Sequence, residues 1–61
     1  MKIRVIEPDM VDMLVDIKEG QVFEVKNIRE VDGVGLVYEF DYDHHLLKGT
    51  YGLAENQVEL V

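Results

Sequence analysis

Hydrophobic and polar positions alternate with period two through residues 34–42. Val34, Leu36, Tyr38, Phe40 and Tyr42 share one face, and Gly35, Val37, Glu39 and Asp41 the other. Successive side chains of a strand point to opposite faces, so this run predicts a strand and excludes a helix. Residues 2–7 alternate in the same way, with Ile3 and Val5 inward and Lys2 and Arg4 outward. Pro8 ends that strand, because proline has no N–H to give to a ladder. Residues 21–27 predict a strand with Phe23 and Val25 inward and Glu24 and Lys26 outward. Residues 29–33 predict a polar turn, where Asp32-Gly33 is a hairpin signal because glycine tolerates positive φ. Residues 43–47 turn the chain and 48–53 return it. A single helical turn over 54–57 then leads to a last strand, 58–61.

Residues 9–18 fit two patterns. Met10, Val11, Met13, Leu14 and Ile17 suit a short amphipathic helix capped by Asp9. Val11, Met13, Val15 and Ile17 equally suit an irregular extended hairpin. Either form would bury much the same apolar set, with Met13 expected inside and Met10 exposed.

Size and charge narrow the picture. At 61 residues the chain is one domain, 1–61, with no linker or repeat. Such a chain buries only about 60% of the surface it exposes when unfolded, so every large side chain counts toward a core. It has no cysteine, so neither a disulfide nor a thiolate metal site can staple it. No stretch approaches the ~18 apolar residues of a membrane span, and no signal sequence opens the chain, so the expectation is a cytoplasmic protein with no membrane partner. Thirteen acidic residues against six basic ones give a net charge of −7. Nucleic-acid affinity arises mainly from cations neutralising phosphates, so direct DNA or RNA binding is not expected. The acid is also what keeps a small protein soluble.

Two motifs bear on architecture. Lys18-Glu19-Gly20-Gln21-Val22 is a polar turn opening a strand, and Gly49-Thr50-Tyr51-Gly52-Leu53 followed by Asn56 and Val58 is strand, turn, short strand. Together they resemble the diverging turn and closing motif of Src-homology-3-like barrels, over roughly residues 17–61. The closing motif is one residue shorter here between Gly52 and Asn56. The resemblance implies an all-β fold, a five-stranded barrel with a helical turn before the last strand, in the style of small bacterial and phage proteins. It implies that Gly20 and Gly52 occupy turns with special backbone geometry. It also favours an extended first loop over residues 9–19, with at most one helical turn, lying beside the 29–33 turn. The aromatic groove of the proline-peptide-binding members is missing: the first strand lacks aromatics, the chain has no tryptophan, and Gln57 stands where the last tyrosine would be.

Chemistry offers little. Asp41, Asp43, His44 and His45 are the only cluster of ligand-type residues, and adjacent histidines on an extended backbone point apart, so a solvated hairpin end is expected rather than a metal site. The chain has neither serine nor cysteine as a nucleophile and no glycine-rich phosphate loop. The function expected is therefore non-enzymatic and cofactor-free: a protein-binding module acting through its first loop. The contact residues would be Asp9, Met10, Asp12, Asp16 and Glu19, joined by Glu30 and Asp32, on a basic protein partner. Two alternatives stand beside it. One is an acidic mimic of nucleic acid that blocks a host DNA- or RNA-binding protein. The other is a self-assembling subunit that buries residues 9–17 against a copy of itself. Monomer and weak homo-oligomer are both open.

Overall fold

A computed structural model describes all 61 residues. The chain runs β1 (Lys2–Val5), α1 (Met10–Leu14), β2 (Val22–Glu24), β3 (Asn27–Val31), β4 (Gly35–His44), β5 (Leu47–Ala54), a 3₁₀ turn (Glu55–Gln57) and β6 (Val58–Leu60). The fold is all-β apart from α1 and that turn. Two antiparallel three-stranded sheets form, ordered β2-β1-β6 and β3-β4-β5. This corrects the expectation of five strands: there are six, and the ladders define two small sheets.

The additional strand is β3, where a polar turn was expected over 29–33. Asn27, Arg29 and Glu30 look like turn residues because β3 lies at the edge of its sheet, where charged side chains are at home. The turn itself shrinks to Asp32, Gly33 and Val34, with Gly33 at φ 81°. Val34, placed on the inner face of β4 by alternation, lies exposed in that turn.

β2 and β3 are two halves of one extended run. The Val25 N–H donates to the Met1 carbonyl at 2.9 Å in the first sheet, and the next N–H, that of Lys26, donates to the Glu39 carbonyl at 2.8 Å in the second. Asn27 is also in register with Glu39. Two residues therefore oppose one, a bulge that bends the strand from one sheet into the other.

The core lies between the sheets. Ile3 and Val5 of β1, Ile17, Tyr38 and Phe40 of β4, Leu53 of β5 and Val58 of β6 are buried, with Phe23, Val25, Leu36, Tyr42 and Tyr51 packed around them. Phe23 from the first sheet stacks on Phe40 from the second at 4.1 Å between ring centroids, an arrangement that adds about 0.5–1.5 kcal/mol to the burial itself. Ile3, Val5, Tyr38 and Phe40 all lie where alternation puts them.

The two glycines differ. Gly20 is at φ 94°, a conformation that suits a turn. Gly52 is not in a special turn conformation. It lies within β5 opposite Glu39, and a Cβ there would stand 2.7 Å from Val37 Cγ1, so close packing accounts for the glycine. No helix of the chain is long and apolar enough to cross a membrane.

Candidate functional site

Within residues 9–18, Met10–Leu14 form a short helix, α1, and the segment is not an extended hairpin. Five residues are too few for a helix to persist by propensity alone, and its two ends hold it. At the N-terminus, Asp9 has an extended backbone. Its Oδ1 accepts the Asp12 N–H at 2.8 Å, while Asp12 Oδ2 accepts the Asp9 N–H at 3.0 Å. This reciprocal pair is a capping box with aspartate in the usual glutamate position. At the C-terminus, Asp16 takes the left-handed conformation at φ 63°. The Ile17 N–H then reaches the Asp12 carbonyl at 3.0 Å and the Asp16 N–H the Met13 carbonyl at 3.1 Å, which together form a Schellman motif.

The helix faces the opposite way from an ordinary amphipathic one. Asp12 is only 4% exposed, whereas Met10 is 76%, Val11 63%, Met13 53% and Leu14 68% exposed. The expectation that Met13 packs inside is therefore overturned, and so is the placing of Asp12 on a contact surface. Only Ile17 and, in part, Val15 of this segment join the core. The reason lies in hydrogen bonding. The Tyr51 hydroxyl donates to Asp12 Oδ1, and Gln57 Nε2 donates to Asp12 Oδ2 at 2.8 Å. Gln57 also donates to the Glu7 carbonyl at 3.2 Å and accepts the Ala54 N–H at 3.0 Å. A buried carboxylate is tolerated when its lone pairs are filled, and no buried side-chain polar atom of the chain lacks a partner. With the acid turned inward, the apolar side chains are left facing water. Burial, then the bond to Asp12 and its charge, push the Tyr51 hydroxyl above the usual tyrosine range.

Beyond the helix, two contacts fasten the chain to β4. The Tyr42 hydroxyl donates to the Val15 carbonyl at 2.5 Å, and His44 Nε2 lies 2.5 Å from Asp16 Oδ2. His44 Nδ1 accepts the Leu46 N–H at 3.1 Å. That pattern assigns the proton to Nε2, which donates it to the carboxylate. The bond from His44 holds the Asp16 carboxyl below the usual aspartate range, against some desolvation and with Lys18 adding favourable charge.

Of the residues expected to meet a partner, Asp9, Met10, Asp16 and Glu19 are exposed on or beside α1. Glu30 and Asp32 are not beside them. Glu30 is in register with Leu36, near the start of β4, whereas the α1 segment is tied to Tyr42 and His44 near its end. At about 3.3 Å per residue this is roughly 20 Å along the strand. Val11, Met13 and Leu14 complete the exposed patch. The Asp9-x-x-Asp12 spacing is the sequence signal of the capping box, and the bonds from Tyr51 and Gln57 are what draw Asp12 inward.

The ligand-type cluster disperses. Asp41 pairs with Lys26 at 2.8 Å and His44 with Asp16, and no group of three or more metal-ligating side chains converges anywhere. The two imidazoles do not point apart as expected. Their centroids are 4.2 Å apart, because His45 lies in the turn, where strand alternation has ended. The other carboxylates are distributed around the molecule: Glu24 meets the N-terminal ammonium, Glu59 meets Arg4, and Glu39 meets Arg29. No ligand-sized pocket opens in the surface. Among known proteins, no family model, curated relative or solved structure matches the chain.

Proposed function

We propose that this chain is a non-enzymatic protein-binding module whose contact surface is the outward face of α1. One observation carries the reading: a helix clamped at both ends turns its acid into the protein and Met10, Val11, Met13 and Leu14 out to water. Residues 10, 13 and 14 share a helical face and 11 adjoins 14, so the four make one patch. Burying such a side chain is worth up to about 1.5–3 kcal/mol each, and methionines adapt to varied surfaces. Asp9, Asp16 and Glu19 at the rim favour a partner whose apolar contact is flanked by basic residues, and would act mainly on the rate of encounter.

The scaffold reading is a Src-homology-3-like barrel. Its support is the order of elements: one run, β2 to β3, bends from the first sheet into the second, and the 3₁₀ turn carries β5 into β6. The nucleic-acid mimic is the weaker reading, since the carboxylates are scattered and several are paired. Self-association through residues 9–17 would set Asp9, Asp16 and Glu19 against their own copies.

The test compares wild type with Met10→Asp and Leu14→Asp in parallel captures from a lysate of the native host. A partner retained by wild type, lost by both variants at unchanged melting temperature, and released by salt supports the proposal. Equal retention by the variants removes α1 from the interface.

A further inference from the structure

The Glu39 carbonyl accepts the Lys26 N–H, so Glu39 turns its backbone toward β3. Backbone groups alternate sides along a strand, so Tyr38, Phe40, Tyr42 and His44 bond β5 through their register partners Leu53, Tyr51, Gly49 and Leu47. The intervening residues of β5, Lys48, Thr50, Gly52 and Ala54, therefore point their N–H and C=O groups away from the sheet. Ala54 agrees, since its N–H goes to Gln57 Oε1 at 3.0 Å. No hydrogen bond outside the ladder reaches the backbone of Lys48, Thr50 or Gly52, and all three are exposed. This is an open sheet edge, which templates the addition of a strand.

The outer face of this sheet interleaves acids and bases. It carries Glu39, Asp41 and Asp43, with Glu55 beside Gly35, against Lys26, Arg29 and Lys48. The edge is also self-complementary. About a two-fold axis through Thr50, an antiparallel copy sets Thr50 against Thr50, a favourable cross-strand pair, and Lys48 against Gly52. Lysine usually guards an edge by repulsion. Here Lys48 would lie over a residue without a side chain, with Glu39 of the second copy as the next neighbour across the strand. Gly49, at φ 120°, bends β5 between Lys48 and Thr50, so the central pair is the firmer one.

We propose that a second copy of this chain pairs with the β5 edge, joining the two β3-β4-β5 sheets into one continuous sheet across a two-fold axis. The inference is independent of the α1 surface and differs from it in salt dependence. Each copy carries a net charge of −7, so screening strengthens this dimer while it weakens an acid-rimmed contact with a basic partner.

The experiment is sedimentation equilibrium over a concentration series into the millimolar range, at low and high salt, with amide exchange followed by NMR. The expected result is a salt-strengthened dimer in which the Thr50 and Gly52 amides become protected. Thr50→Pro removes one outward N–H without touching the ladder to β4 and should remain monomeric. Lys48→Glu sets like charges together and should weaken association roughly tenfold. It also keeps the test valid should the proline variant fail to fold. A wild-type chain that stays monomeric throughout overturns the proposal, as does a dimer indifferent to both substitutions.

Discussion

Strand β4 and helix α1 sort their residues in opposite senses. β4 turns Tyr38 and Phe40 inward and leaves Asp41 and Asp43 to water, as alternation requires. α1 turns Asp12 inward and leaves Met10, Val11, Met13 and Leu14 to water. In the strand, area removed from water decides which side faces in. In the helix, satisfaction of one carboxylate by Tyr51, Gln57 and the Asp9 N–H decides it. Hydrogen bonding can outvote hydrophobicity where the segment is short, because five residues offer little apolar area and the caps dictate the orientation of the turn.

Phe40 and Asp12 are the anchors of the two elements, and each should be structural. Phe40→Ala should cost about 3–5 kcal/mol, much of the stability of a domain this small, and appear as loss of a cooperative urea transition. Asp12→Ala should come next, at roughly 2–4 kcal/mol, because it takes the acceptor from the Tyr51 hydroxyl and from one N–H of Gln57 and removes half of the capping box. If Asp12→Ala melts with wild type, the buried acid is not what orients α1.

How much could be read in advance follows the same division. The faces of β1 and β4 were legible because alternation depends only on neighbours two residues apart. β3 was hidden, since the polar residues of an edge strand resemble those of a turn. The orientation of α1 was hidden for another reason: Asp12 meets its partners 39 and 45 residues away. Met10, Val11, Met13 and Leu14 offer the same apolar stripe whichever way the helix rolls.

Smaller effects are expected at the exposed positions of α1. Met10→Ala and Met13→Ala should shift stability by no more than about 0.5 kcal/mol, as exposed positions do. A loss matching that of Phe40→Ala would mean that the stripe faces the core. The smallest effect belongs to the contact between Asp16 and His44. A carboxylate lowered by folding stabilises above the ordinary aspartate pKa of about 4 and loses that contribution as pH falls through its lowered value. His44→Ala should therefore raise the Asp16 midpoint toward the ordinary value in a carboxyl NMR titration, with little change in melting at neutral pH. An unmoved midpoint would show that the imidazole does not set the charge state of Asp16.

The bend at Val25 and Lys26 has a kinetic consequence. On its C-terminal side the strands β3, β4 and β5 are successive in sequence and pair through short turns, so their contacts close small loops. On its N-terminal side β1 must find β6, with Val5 opposite Val58, across nearly the whole chain. Long loops close late because their entropy cost must be met before the contact forms. Loop closure therefore predicts that the β3-β4-β5 meander nucleates folding and that β1 docks after the rate-limiting step. Ile3→Val would accordingly accelerate unfolding and leave the folding rate nearly unchanged.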